Sequence, residues 1–534
     1  MKIRISRYRP TPPPAPPPKG EGGAFLWSFP VSLRERWCLP PSPLGKGDRG
    51  GWVSLALFCL SLLIGAWDAE AQGEDLLRAE AARAMQRATR FFRARVAVRG
   101  GYVWQYRSDL SAREGEEVAS ASTIWVQPPG TPAVGMACLE AWEATGDTLY
   151  LDVAREAARA LAWGQLASGG WDYRIDFDPQ ESGRWYYRRD VEAGDAAQGD
   201  RRNTTTLDDN TTQGALRLLM RVDRATRFQD AEVRRAARYA LRALIRAQYP
   251  NGAWPQRYSA FPDPEAFPVR RARYPEAWPR VWPKERYADR YTLNDNAIAD
   301  MIATLIEAYR TYKDEGHLNA ARRGGEFLIL AQMPDPQPAW AQQYSRDMEP
   351  VWARRFEPPA VASAESFGAM RALMNLYLET GEGRFLEPVP RALAWARRSA
   401  LPDGQLARFY ELETNRPLYF TRAYELTYSD VDLPDHYAFK IAGARLMEAE
   451  GDYERIVKEG RDSLRAKPRQ RPVPQREAVE AAVASIDGEG RWVEEGWLKD
   501  PDGRGERVRA EVISCQTFNR NLTLLARYVA ATKP

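Results

Sequence analysis

The stretch VDRATRFQDAEVRRAARYALRALIRAQYPNGAWPQR (222–257) decides the architecture. Val233, Ala237, Ala240, Leu241 and Leu244 recur at helical spacing and mark one apolar face, so its middle is an amphipathic helix. The turn VDRAT (222–226) precedes that helix and the loop GAWPQR (252–257) follows it. The same unit recurs. Matching turns are EATGD (143–147), YKDEG (312–316) and LETGE (378–382), and matching loops are GGWDYR (169–174), PAWAQQY (338–344) and GQLARFY (404–410). Trp171, Trp254 and Trp340 stand 83 and 86 residues apart. A period of that length holding two helices means stacked helical hairpins. Loops that all return to one side predict an all-α (α/α) toroid with a cleft. Strand signals are few before residue 485. GRWVEEGW (490–497) and RVRAEVIS (507–514) predict a small C-terminal hairpin.

Composition excludes several classes. With 534 residues, 44% hydrophobic and 28% charged, the chain can bury a large core, which rules out overall disorder and a multi-span membrane protein. The two histidines, His317 and His436, leave no Ser-His-Asp or Cys-His machinery and no His-rich zinc site. Chemistry must come from carboxylates, Arg, Lys, Tyr or an oxygen-liganded metal.

The first 71 residues alter the charge argument. WVSLALFCLSLLIGA (52–66) is too short for a comfortable span, follows Lys46 and Arg49, and precedes Ala69-Glu70-Ala71, a small-x-small cleavage site. Residues 1–71 therefore read as leader and signal peptide, with translation starting near Val53 and residues 1–50 a misplaced start. The mature chain then begins near Gln72, secreted or periplasmic, with no stable membrane span. The leader holds nine of the 76 basic and five of the 72 acidic residues, leaving 67 of each. A neutral mature chain gives no argument for nucleic acid, and a monomer is expected. Cys138 and Cys515 remain, either paired by export or as two buried thiols.

Two helix starts repeat: Thr206-Leu207-Asp208-Asp209-Asn210 and Thr292-Leu293-Asn294-Asp295-Asn296. Superimposing them pairs Asp209 with Asp295. Such residues are ordinary caps, but the same run at the same end of the same hairpin also fits two carboxylates converging on a cleft. They would hold a hard cation such as Ca²⁺ or act as the acid and base of a glycosidase. Arg257, Arg354, Arg355, Arg408, Arg416 and Arg422 gather in loops at that end. Guanidinium forks suit the carboxylates of a uronate polymer.

Together these runs resemble the family 10 pectate lyases. The matching segments are TLDDNTT (206–212), GAWPQRY (252–258), YTLNDNAIADM (291–301), ARRFEPPAVASAES (353–366) and ARFYELETNRPLYFTR (407–422), in order over roughly 130–425. The resemblance implies an (α/α) toroid that cleaves polygalacturonate by β-elimination with Ca²⁺. It places the catalytic-base arginine on Arg354 and substrate-binding arginines on Arg408 and Arg422. The acidic cation site falls on Asp209 and Asp295, with Asp208 the alternative to Asp209. Arg257, Asn296 and Trp254 join the substrate-binding set. An arginine base needs close positive neighbours, which Arg355 and the cation would supply, and Lys284 is the other candidate base. The chain departs from the family in Ala253 of GAWPQ, in an insertion at 261–286 that reads as a lid or subsite wall, and beyond Arg422. There only His436-Tyr437-Ala438-Phe439 faintly matches the closing segment. The expected organisation is a leader at 1–71, a toroid at 72–460 and an extension at 461–534 packing on it. An inverting glycoside hydrolase using Asp209 and Asp295, and a non-catalytic uronan-binding toroid, are the competing readings.

Overall fold

The computed structural model describes residues 73–195, 197–466, 472–499 and 506–532. The expected leader and signal peptide lie outside them. The chain divides into two units, Met1–Ala79 and Glu80–Pro534. Of the first, only the helical residues 73–79 are described, and the second carries everything that follows.

Four helical hairpins dominate: Thr131–Thr145 with Thr148–Trp163, Thr211–Ala225 with Ala231–Arg246, Ala297–Tyr312 with Glu315–Ala331, and Ser363–Thr380 with Pro388–Arg398. The first helix of each packs on the first helix of the next, giving an inner row. The second helices form an outer row against it. The inner helix Ser363–Thr380 is buried over most of its circumference, whereas the outer helix Ala231–Arg246 buries chiefly the face bearing Val233, Ala237, Ala240, Leu241 and Leu244. The inner row continues to Ala444–Glu459 at one end and Cys515–Ala531 at the other. The fold is the all-α toroid read from the sequence.

Three of the four outer helices start on aspartate caps. Asp147, Asp230 and Asp314 accept backbone N–H bonds from Leu149, Val233 and Gly316. Each loop that follows is then locked by its tryptophan. The buried indoles of Trp171, Trp254 and Trp340 donate to the carbonyls of Leu161, Leu244 and Leu328 at 2.8, 2.8 and 2.7 Å, near the end of each of these outer helices, where backbone donors run short. Gln165 and Gln248 bridge their own loop to the next outer helix, reaching Ala236 and Ala320 carbonyls at 2.9 Å. The turn before Trp254 requires glycine. Gly252 sits at φ +92, and a Cβ there would meet the Arg323 carbonyl oxygen at 1.9 Å. Trp254, expected to bind substrate, is 0% exposed and has no face to offer a sugar. Its role is to close the helix.

Strands are more numerous than the sequence indicated. The segment before each inner helix pairs with the loop after its outer partner: Thr123–Trp125 with Arg174–Asp176, Thr205–Thr206 with Arg257–Tyr258, Tyr291–Thr292 with Gln343–Tyr344, and Ala360–Ala362 with Phe409–Glu411. Ladders of two or three residues carry no alternation to read. The C-terminal hairpin, Val493–Lys499 with Arg507–Ser514, joins Gln105–Arg107 and Arg113–Glu114 in a four-stranded sheet. Segment 461–534 is thus woven into the start of the toroid, with no break at residue 460. Cys138 and Cys515 are buried free thiols, so packing between their helices, not a disulfide, joins the first hairpin to the last helix. No helix among the described residues is long and apolar enough to cross a membrane.

Trp254→Phe keeps most of the ring but orphans the Leu244 carbonyl. It should lower unfolding free energy by about 1–3 kcal/mol, and Trp254→Ala by about 3–5 kcal/mol. Chemical denaturation of both variants checks this. Equal losses would mean that the indole hydrogen bond contributes nothing.

Candidate active site

The ladders deliver the two repeated runs to neighbouring inner-helix starts, where each backbone does something unusual. Asp209 and Asn210 have φ of 51° and 57°, and Asp295 and Asn296 have φ of 49° and 59°. Consecutive non-glycine residues in the left-handed region are costly, roughly 1–3 kcal/mol each, and occur where the surroundings enforce them. The side chains do not cap the following helices: neither Asn210 nor Asn296 makes a side-chain cap bond. Instead Asp209 accepts from Gln127 Nε2 at 2.8 Å and Asp295 from Asn294 Nδ2 at 2.7 Å. Asp208 accepts from the Tyr173 hydroxyl at 3.1 Å. Carboxylate oxygens of Asp208, Asp209 and Asp295 lie within 4.8 Å of one another.

Three acids so close cannot all ionise freely. Burial, then the charges of Asp208 and Glu116, push Asp209 up to about 6. Burial, then Asp208 and Asp209, push Asp295 up to about 7. Buried Asp208 Oδ1 and Asn294 Oδ1 have no hydrogen-bond partner among the described residues. An all-oxygen donor set with spare lone pairs suits a hard cation.

Two arginines oppose this charge. Arg354 bonds Glu357 Oε1 through Nη2 at 2.5 Å, and its backbone N–H donates to Glu357 Oε2 at 3.0 Å. Glu357 is fully buried. Arg408, itself nearly buried, bonds Glu365 Oε1 at 2.6 Å and leaves its Nε without a partner among the described residues. The Tyr437 ring lies under both guanidinium groups, at 4.5 Å from Arg408 and 5.6 Å from Arg354, and its hydroxyl donates to Glu357 at 3.0 Å. Burial alone would lower the affinity of Arg354 for its proton. The Glu357 hydrogen bond and charge, with Tyr437 and Asp295, outweigh that and hold it firmly as a cation. Arg408 is held the same way by Glu365, Tyr437 and Asp295. The positive neighbours expected around Arg354 are not its main surroundings. Arg355 bonds the Ala423 carbonyl at 2.8 Å and lies over Tyr424.

The other expected residues divide. Arg257 belongs to the site, donating to the Tyr173 hydroxyl at 2.8 Å and standing 3.7 Å from Asp208. Asn296 sets its Oδ1 against Gly368 of the next inner helix. Arg422 is exposed and pairs with Asp432 and Asp435 at 3.5 Å, with no contact to the aspartate cluster among the described residues. Five site residues went unread in the sequence: Glu357, Glu365, Tyr437, Tyr173 and Glu116. The first two lie inside ARRFEPPAVASAES, Tyr437 in the faint His436–Phe439 match and Tyr173 in GGWDYR. Glu116 carried no signal. Lys499 of the C-terminal hairpin donates to its carbonyl, so that hairpin reaches the cleft.

Known proteins resemble this chain in part. A family 10 polysaccharide lyase from Cellvibrio cellulosa is 20% identical, over 58% of this chain and 97% of its own, with a TM-score of 0.42. A mutant of that lyase in complex with trigalacturonic acid aligns over 59% and 98%, at 20% identity and a TM-score of 0.42. A cellobiose 2-epimerase from Spirochaeta thermophila DSM 6192 aligns over 86% and 98%, at 14% identity and a TM-score of 0.43. No curated protein matches the chain by sequence. Residues 165–406 match the family described as pectic acid lyase, a span that holds Asp208, Asp209, Asp295, Arg354 and the Glu357–Arg354 pair.

Proposed function

We propose that the protein is a polysaccharide lyase that cleaves pectate (polygalacturonate) or a related uronan by β-elimination, as an exported monomer. One observation carries this reading: three carboxylates with oxygens within 4.8 Å of one another, opposed by two arginines on a shared tyrosine. A single acid–base pair would need neither the third carboxylate nor the arginines. An inverting hydrolase separates its carboxyl groups by about 6.5–9.5 Å to admit a water, more than the gap here.

Elimination takes the proton on C5, beside the substrate carboxylate. The electron pair forms the C4–C5 double bond, and the C4–O bond breaks with the leaving oxygen protonated by solvent. Charge grows on the carboxylate as the proton leaves, so cations placed there favour the transition state over the ground state. Arg408, with its Nε unpartnered, binds that carboxylate, and Arg257 supports it from the Asp208 side. Arg422 and Asn296 are assigned to outer positions along the chain. Asp208, Asp209 and Asp295 would hold Ca²⁺, which when bound supplies positive charge to the substrate carboxylate. Three side chains cannot fill 6–8 ligand positions, so the uronate provides some of them. Arg354 is the base. Its proton must first be given up against the pull of Glu357, which makes alkaline conditions favourable.

The base assignment is tested by absorbance of the unsaturated product. Arg354→Lys keeps the charge but moves the nitrogen and loses the fork. It should cut kcat by about 10²-fold or more with KM nearly unchanged, and Arg355→Ala should cost less in kcat. Glu357→Gln removes the charge that holds the Arg354 proton, so the rise of activity with pH should move to lower pH. An unmoved rise, or loss of activity in Lys284→Ala with Arg354→Ala unaffected, would transfer the base role elsewhere.

Proton linkage tests the carboxylate cluster separately. The folded pKa values of Asp209 and Asp295, about 6 and about 7, lie above the unfolded value near 4. The folded state therefore binds more protons, and these groups lower stability as pH rises from about 4 to 7. Without calcium, Asp295→Asn should be more stable than the parent at pH 8 by about 1–3 kcal/mol, the full shift being discounted for partial solvation. At pH 4.5 the difference should vanish. Calcium should stabilise the parent and not the variant. Thermal melts with chelator and with calcium read all three, and a destabilised variant at pH 8 would refute the cluster's mutual repulsion.

A further inference from the structure

The insertion at 261–286 is tied to the loop bearing Arg354, and its residues 280–284 line an open cavity beside that loop. Trp282 Nε1 donates to the Ala353 carbonyl at 2.8 Å, while Trp352 Nε1 donates back to the Pro279 carbonyl at 2.7 Å. This reciprocal indole clasp ties the insertion to the loop that bears Arg354. Arg280 stacks on Trp278 at 4.0 Å and bonds the buried Glu411 at 2.5 Å, anchoring the same segment on the opposite loop. Between the insertion and the strand after Arg416 lies a cavity of about 760 Å³ lined by Trp282, Trp352, Tyr424, Lys284 and Arg355 among others, a size at which small-ligand sites occur.

Its charge is unbalanced. Lys284 and Arg355 form no ion pair among the described residues, and Glu425 is the one carboxylate among the lining residues. Arg280, the third cation, is already neutralised by Glu411. The cavity begins one residue from Arg354. Arg354 turns to Glu357 and the aspartates, and Arg355 lines the cavity. Consecutive Cα atoms are about 3.8 Å apart, so one polymer can reach both. Aromatic side chains with unpaired cations match the two features of a uronate residue, an apolar ring face and a carboxylate.

We propose that this cavity is an additional subsite, built by the insertion, that binds a further uronate residue of the polysaccharide held at the aspartate cluster, with Lys284 and Arg355 taking its carboxylate. The inference rests on the uronan reading above and extends it to chain length. Lys284 thereby acquires a binding role in place of the alternative-base role.

The test is calorimetric titration of the full chain, with calcium, using oligogalacturonates of graded length. Affinity should rise with length in the parent. Lys284→Gln with Arg355→Gln should abolish that rise, lowering affinity for the longer oligomers by about tenfold or more. Lys284→Arg should restore much of it, and methyl-esterified oligomers of the same lengths should show no rise. Length dependence unchanged in the double variant, or absent from the parent, overturns the proposal. Inorganic phosphate that binds alone and displaces the long oligomers also overturns it, by making the cavity a general anion site. Turnover distinguishes the two readings. A length effect in a protein that turns over no uronan removes the lyase and keeps the subsite, whereas turnover without a length effect does the reverse.

Discussion

The indole hydrogen bond that closes three of the four outer helices is the constraint on which the rest depends. Trp171 and Trp254 each reach back ten residues, and Trp340 twelve, to a carbonyl in the last turn of the outer helix. Burial of the ring supplies the driving force and the N–H fixes the direction. With the loop folded back, its next residues lie in register to pair with the segment entering the inner helix, as Thr206 with Arg257 and Thr292 with Gln343. Because the device repeats, the residues it delivers repeat in space. That is how carboxylates 86 residues apart in the chain come within 4.8 Å.

The fold then spends stability at that point. Two pairs of left-handed non-glycine residues and three crowded carboxylates are each unfavourable alone. The opposing guanidinium groups do not cancel the crowding, because Arg354 and Arg408 are committed to Glu357 and Glu365. The result is a layered site in which aspartates face arginines that are themselves held by buried glutamates, with Tyr437 shared between them. Such an arrangement leaves unmet demand for positive charge at the aspartates and for a carboxylate at Arg408 Nε.

The sequence made the repeat legible because tryptophan, glycine and the apolar faces recur at a fixed period. The same regularity made TLDDN and TLNDN stand out against ordinary capping. It misassigned Trp254, since a tryptophan in a cleft loop reads alike whether its ring is exposed or buried, and only the Leu244 carbonyl distinguishes the two. Arg354 and Arg408 were read from their loops. Glu357 and Glu365 were quoted within a matching run, but a carboxylate that serves an arginine has no spacing of its own to announce it. The short ladders were unreadable for want of length. The C-terminal hairpin was visible as a hairpin, but its pairing with Gln105–Arg107 spans about 400 residues and no local pattern encodes it.

Segment 261–286 and the C-terminal hairpin lie on different sides of the charged centre. The C-terminal hairpin reaches it through Lys499 and Glu116, next to Asp208 and Asp209. The insertion reaches it through Trp282 and Arg280, next to Arg354. Neither supplies a group to the aspartate–arginine core. Both fix what can lie beside the core. On the Asp209 side Glu116 brings negative charge that a polyanion must avoid or a cation must offset. On the Arg354 side Lys284 and Arg355 bring positive charge that a polyanion seeks. The two sides of the centre therefore differ in make-up: Glu116 with Lys499 and Arg257 beside it on one, Lys284 and Arg355 on the other.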